Sequence, residues 1–335
     1  GGVFVWGVSG GGYDSNAAQS GLAEAIAVTE TSARAASAYT SLAASAGYVF
    51  RLAPGAALAP YYAFDWLLLF APAVRELSLQ AHAAGLRAHW APRPEIDVRF
   101  TGAATLTLTG VEQSQAFSLE TLLGAELALS HSARATSLAR LDVRGVYGLS
   151  GYDYLTGTRV DLALGERLRW QRADLLLSAG LRFNEIGQDE VALRPELLTG
   201  CGARCDGLVY RVPFGYRGPW ADLRLGHQLS AALRVEGNFR VEYRRYTDQS
   251  FITLSGGGPP IVLNPKTRED VRYRPGARVE LDLDDARRWQ LASDYLVWIS
   301  RSNVAYDASD PAHALDYDDR NFVQHVLELS LAAQF

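Results

Sequence analysis

Methionine is absent from the 335 residues, and Cys201 and Cys205 are the only cysteines. A membrane-spanning helix needs about 18–20 consecutive apolar residues. No window supplies them, and the richest run, Trp66 to Ala71, stops at Pro72. Of the 32 basic residues only Lys266 is a lysine, no basic tract occurs, and the formal net charge is -5. A chain of that kind offers nucleic acid no attractive surface, and the arginine bias reads as codon composition rather than function. With no initiator methionine and no leader sequence, the numbered chain is expected to be processed or trimmed, with an upstream domain missing.

What is present is alternation. From about residue 36 onward a period-two stretch is followed by a turn or loop, and the pattern recurs to the end of the chain. In the clearest case Leu233, Val235, Gly237, Phe239, Val241 and Tyr243 share one face, and Arg234, Glu236, Asn238, Arg240, Glu242 and Arg244 share the other. A helix would scatter both sets around its circumference, whereas a strand separates them. The same holds for Phe117, Leu119, Leu123, Ala125, Leu127 and Leu129 against Ser118, Glu120, Glu126 and Ser130.

A soluble antiparallel sandwich also alternates, with its polar face in water. Three features oppose it. Many stretches outrun the usual 5–6 residues of globular strands and reach the 9–11 or more of a tilted spanning strand. Aromatic residues gather near strand ends, as interfacial girdles do: Tyr48, Phe50, Tyr62, Phe64, Trp66, Trp90, Trp170, Trp220 and Trp289. Short and long connections alternate, as periplasmic turns and external loops do in outer-membrane barrels.

The fold expected is therefore all-β: a single closed antiparallel transmembrane β-barrel over 1–335, with about 14 strands and with 12 or 16 as alternatives. Strands are expected at about 2–10, 36–53, 56–70, 75–91, 94–109, 117–132, 136–152, 157–171, 173–185, 214–230, 232–247, 268–284, 288–305 and 320–335. The fourth loses its apolar phase between Ala83 and Leu86, which a β-bulge would explain. Tight connections follow even-numbered strands, and the long loops, roughly 11–35, 186–213, 248–267 and 306–319, follow odd-numbered ones. That parity puts both termini on the periplasmic side of a Gram-negative outer membrane. The partners implied are outer-membrane lipid and lipopolysaccharide.

Inward positions are arginine-rich in the second half. They include Arg140, Arg144, Arg159, Arg182, Arg224, Arg234, Arg240, Arg244, Arg272, Arg274 and Arg278, interleaved with carboxylates such as Glu236, Glu242 and Glu280. Two readings stay open: a polar, porin-like lumen whose guanidinium excess favours anionic solutes, or arginine–carboxylate networks that brace and fill the interior. At the bilayer midplane a lipid-facing arginine costs about 2–4 kcal/mol, so these side chains are expected inside in either case. Cys201-Gly202-Ala203-Arg204-Cys205 is expected to close a small disulfide ring in an oxidising compartment. Neither a metal site nor a cofactor is indicated. The loop holding Asp307, Asp310, Asp316, Asp318 and Asp319 matches no calcium motif. Enzymatic motifs are missing too: the six histidines are scattered, and Gly10 to Gly12 and Gly256 to Pro260 read as flexible segments, not phosphate loops.

In the last strand Leu329, Leu331 and Phe335 share a face, a pattern that resembles the C-terminal signal presented to the barrel assembly machinery. Gly10-Gly11-Gly12-Tyr13-Asp14-Ser15-Asn16 and Asp316-Tyr317-Asp318-Asp319-Arg320 resemble stretches in bacterial outer-membrane barrels joined to periplasmic tetratricopeptide repeats. The surface lipoprotein assembly modifier family is one such group. The resemblance implies a fourteen-stranded barrel. Two functions stay open beside it: a channel for solutes or for export or translocation of a polymer, and a plugged structural or assembly barrel docking a periplasmic or surface protein partner.

Overall fold

Long alternating strands have two ways to satisfy their backbone groups: more strands at each edge, or closure. The chain closes. The computed structural model describes residues 1–17, 36–72, 74–111, 114–150, 155–186, 191–192, 208–211, 215–247, 251–254, 261–262, 267–303 and 321–335. Among these residues fourteen strands form one antiparallel barrel. They are β1 (Gly2–Asp14), β2 (Ser37–Ala53), β3 (Ala56–Leu69), β4 (Leu79–Arg93), β5 (Ile96–Thr109), β6 (Gln115–Ser130) and β7 (Ala135–Gly148). The second half contributes β8 (Gly157–Arg169), β9 (Ala173–Asn184), β10 (Tyr216–Gln228), β11 (Leu233–Tyr246), β12 (Glu269–Asp282), β13 (Trp289–Ser302) and β14 (Phe322–Gln334). Each pairs with its neighbours in chain order, and β14 returns to β1, so the barrel has no open edge.

The strands run 12 to 17 residues. At about 3.3 Å per residue and a tilt of roughly 40° they reach about 30–40 Å, more than the apolar band of roughly 25 Å that such barrels present. Both termini and the tight turns lie at one end, and the long connections lie at the other. Within two of these, four short strands (191–192, 208–211, 251–254 and 261–262) join in a second antiparallel sheet. The segments expected as separate loops at 186–213 and 248–267 therefore pair with each other. Cys201, Cys205 and the Asp307–Asp319 loop lie outside the described residues.

Register confirms the two faces of the second half. Across β11 and β12, Arg234 faces Glu280, Glu236 faces Arg278 and Glu242 faces Arg272, while Val235 faces Val279 and Val241 faces Tyr273. Leu123, Leu164, Leu177, Leu225, Leu327 and Leu329 stand out from the barrel, each more than 45% exposed. In water each such side chain forgoes roughly 1.5–3 kcal/mol of burial; an encircling band of them suits only an apolar surround. Aromatics sit on the outer face near both ends: Tyr48, Phe50, Trp90 and Trp289 at the turn end, Tyr13, Tyr147 and Tyr273 at the loop end.

Three expectations are corrected. β4 holds a continuous register from Leu79 to Trp90 against both neighbours, so no bulge interrupts it. The apparent slip arises because Gln80 and His82 sit on the outer face; the Tyr62 hydroxyl lies 2.7 Å from His82 Nδ1 and shields that polar edge. The bulge is instead in β6: Thr107 faces Ser118 and Leu108 faces Ala116, so Phe117 is the extra residue of the bulge. Phe117 leaves the outer row and is fully buried with Tyr39, Leu69, Val74, Leu77 and Leu155. The third correction is at the glycine run, which lies within β1, not in a flexible segment. A Cβ on Gly12 would fall 2.7 Å from the Tyr39 ring, and one on Gly10 2.7 Å from Glu328 Oε1. Glycine there lets Tyr39 reach across β1 to Glu328, hydroxyl to Oε2 at 3.0 Å.

The Gly10–Asn16 motif thus closes the barrel. Gln324 Nε2 of β14 donates to both Asp14 oxygens, at 2.8 and 2.9 Å, and the His325 N–H donates to Ser15 Oγ at 2.8 Å. At the other end Phe335 and Val5 exchange backbone hydrogen bonds of 2.8 and 2.9 Å, and the Phe335 ring meets Trp289 edge-on at 5.8 Å.

Candidate functional site: the inner face of the barrel

The inner face is built asymmetrically. On β2 to β4 it carries small side chains, among them Ala43, Ser45, Gly47, Ala63, Ala81, Ala83 and Gly85. On β5 to β13 it carries most of the charges, with Asp65 of β3 and Arg87 of β4 set among the small residues. Charged residues on the outer face keep to strand ends: Arg217, 3.2 Å from Glu185, and Arg245, 3.9 Å from Glu269.

Four cavities follow the charged wall. The largest, about 590 Å³, is lined by nine arginines and five carboxylates, among them Arg140, Arg144, Arg159, Arg182, Arg224, Arg240, Asp142, Asp161 and Asp222. Toward the loop end Arg182 and Arg240 also line a cavity of about 270 Å³ with Glu242, Arg244, Arg272, Arg274 and Trp298. Toward the turn end Arg167 and Arg169 are shared with a cavity of about 380 Å³, which reaches Arg234. Arg234, Gln228 and Arg287 are shared in turn with a fourth, of about 300 Å³, where Trp6, Glu280 and Asp282 sit. Each cavity hands a wall to the next.

Most of the arginines expected here are paired. Arg159 lies 3.1 Å from Asp161, Arg182 bridges Asp161 at 2.6 Å and Glu242 at 3.1 Å, and Arg244 closes on Glu242 at 3.2 Å. That chain of charges spans β8, β9 and β11, with Tyr216 donating its hydroxyl to Glu242 at 3.2 Å. Arg140 pairs with Asp142, Arg144 with Glu120, Arg224 with Asp222 and Arg234 with Asp174. Arg278 meets Glu280 and Asp294; Arg234 also reaches Glu236 at 3.4 Å and Glu280 at 3.8 Å; Arg272 lies 3.8 Å from Asp270. Two of the set differ. Among the described residues neither Arg240 nor Arg274 has an ion pair within 4.0 Å.

Both unpaired arginines lie against tryptophans. The Arg240 Cζ sits 4.4 Å from the Trp220 ring centroid, and the Arg274 Cζ 5.0 Å from that of Trp298. Trp220 is therefore an inner residue, not part of the outer girdle expected for it. Its sequence position carried the signal, since it is in phase with Asp222 and Arg224 on β10. Gly180 makes room for it, because a Cβ there would fall 2.7 Å from the indole. Trp298 sits in an unbroken apolar run, Tyr295 to Ile299, where hydrophobicity alone gives no phase. The assembly-signal residues Leu329, Leu331 and Phe335 are all on the outer face, 56%, 40% and 63% exposed.

No protein-family model and no curated protein matches the sequence. Solved structures do match. A FadL homologue of Pseudomonas aeruginosa superposes with a TM-score of 0.50 at 8% identity, over 99% of this chain and 90% of that one. OmpT of Vibrio cholerae, an outer membrane protein solved with loop L8 deleted, gives a TM-score of 0.50 at 6% identity, over 100% of this chain and 99% of that one. The fold is that of outer-membrane β-barrels. At such identities the likeness is one of architecture, and what this chain passes or binds is argued from its own inner face.

Proposed function

We propose that the chain is an outer-membrane channel that conducts small solutes along its arginine-rich wall and favours anions. The observation that carries this is the sequence of four cavities with shared walls, running from Arg272 and Trp298 near the loop end to Gln290 and Gln334 at the turn end. Nine arginines against five carboxylates in the largest give the path a positive bias, and rings of arginine are a recognised means of passing anions. In this reading the termini and tight turns are periplasmic, the long connections face outward, and the outer face meets lipid and lipopolysaccharide. Leu329, Leu331 and Phe335 serve recognition by the assembly machinery, and no catalysis is assigned. Reconstituted in a planar bilayer under a potassium chloride gradient, the protein should show a reversal potential displaced toward that of chloride. A cation-selective current, or none from correctly folded protein, would overturn the proposal.

A second reading has its own observation. The apolar cluster of Tyr39, Leu69, Val74, Leu77, Phe117 and Leu155 fills part of the interior at the loop end. The 3-10 turn Arg75–Leu77 holds it there, with the Leu69 N–H donating to Ser78 Oγ at 3.0 Å. This is how a barrel that anchors a periplasmic or surface partner, as in the surface lipoprotein assembly modifier resemblance, would be plugged. The same recording separates the two, since a plugged anchor stays silent.

A further inference from the structure

Arg240 of β11 and Arg274 of β12 face each other directly across the strand pair, both pointing inward. Like charges in register oppose folding, and every other arginine in this part of the wall has a carboxylate to offset it. Around the pair, groups that can donate are left without partners. Arg240 Nη2 and the indole Nε1 atoms of Trp220 and Trp298 are buried with no hydrogen-bond partner among the described residues. Ser300 Oγ, in the same cavity wall as Trp298, is also unsatisfied and can donate as well as accept. A buried polar group without a partner costs about 1–3 kcal/mol, more when it is charged. Several along two cavities that share Arg240, nearly all donors, call for an acceptor with more than one lone pair and a negative charge.

The position supports the same conclusion. Arg240 lines both the 590 Å³ and the 270 Å³ cavities. The two tryptophans flank the arginines from the adjacent strands, Trp220 on β10 and Trp298 on β13, with each guanidinium carbon over an indole ring. Cation–π attraction holds a guanidinium over an indole without using up its N–H groups, which stay available to an acceptor.

We propose that Arg240, Arg274 and the indole N–H groups of Trp220 and Trp298 form a binding site for a small oxyanion, a carboxylate or a phosphate, where the two cavities meet. This deepens the channel reading by giving its path a saturable station. It rests on that reading for its purpose but not for its test, which involves no current.

The test is calorimetric titration of the folded barrel in zwitterionic detergent with inorganic phosphate and, separately, with acetate. Chloride serves as an anion without the oxyanion's array of acceptors. Saturable binding of phosphate or acetate is expected, with whichever binds more tightly naming the ligand class, and chloride binding more weakly. Because hydrogen bonds to charged groups are worth about 1.5–3 kcal/mol, the R240Q/R274Q double variant should lose affinity by about tenfold or more. W220F and W298F, which remove the indole N–H and leave a smaller aromatic ring beside the arginine, should each weaken binding severalfold. R278Q, whose arginine is committed to Glu280 and Asp294, should leave it unchanged. The double variant relieves a like-charge contact, so its heat-resistant mobility on gels should be retained or improved, which rules out misfolding as the cause of lost binding. No saturable binding, an unaltered affinity in R240Q/R274Q, or chloride binding as tightly as the oxyanions would each overturn the site. Binding without conductance would instead sink the channel reading and leave the site standing.

Discussion

At the scale of single residues, the inner arginines separate into two kinds by what lies next to them. Arg182 is the hub of the paired kind: its side chain is 15% exposed, and the Asp161 and Glu242 carboxylates it holds are 12% and 9% exposed. Removing one member of such a partly buried network leaves carboxylates facing each other, a loss of about 3–5 kcal/mol where burial is deep. R182A is therefore expected to lower the urea midpoint of unfolding markedly, and R182K to recover only part, since one ammonium cannot reproduce the guanidinium fork. An unchanged midpoint would show that the network is ornamental. Phe117, fully buried at the β6 bulge, should cost about 3–5 kcal/mol on truncation to alanine, measured by the same unfolding curves. On the outer face the sign of a polar deletion reverses its usual sense. Tyr62→Phe should destabilise in lipid, because it leaves the His82 edge without its 2.7 Å partner.

Among the elements, the seam between β1 and β14 depends on residues from both ends of the sequence. Gly10 to Asn16 of one strand and Gln324 to Phe335 of the other interlock there. Substituting Gly12 by valine should obstruct Tyr39 and the closure itself, reducing the folded, heat-modifiable fraction on gels; a Gly12→Val barrel that closes normally would contradict this. In the β12–β13 turn, the Trp289 N–H and then the Arg288 guanidinium hold the half-buried Asp284 carboxyl below the usual carboxylate range. Its folded-state value being lowered, the contribution to stability is complete above the ordinary carboxylate range and fades as the pH falls through the lowered value. Wild type and D284N should thus differ in melting temperature at neutral pH and converge in strong acid; a difference that persists in acid would point to a contact other than the carboxylate.

The elements are also where the sequence was most legible. Alternation in β11, and with interruptions in β14, is enough to read faces and ends within a few residues, because a strand with one face in lipid and one on a polar interior has no freedom to slip. What alternation does not encode was missed. The inward turn of Phe117 depends on a one-residue bulge, the outward placement of His82 on a tyrosine from the next strand, and the inward Trp298 on a phase hidden in an apolar run. The lumen arginines were found by charge, but which of them lack a partner is a property of neighbouring strands. The pairing of the short strands at 208–211 and 251–254 joins segments about forty residues apart that no local pattern links.

For the whole molecule, the proposed channel runs along a charged wall that faces a wall richer in small residues, with the proposed oxyanion site between two of its cavities. On that proposal, charge offset by pairing braces the wall, and charge left over selects what passes. The most direct test is the reversal potential of single barrels in a planar bilayer with unequal potassium chloride on the two sides. The account predicts open channels whose potential moves toward the chloride value, with R240Q/R274Q carrying it back toward zero while the current persists. Silent, correctly folded barrels, or a potential on the potassium side, would contradict it.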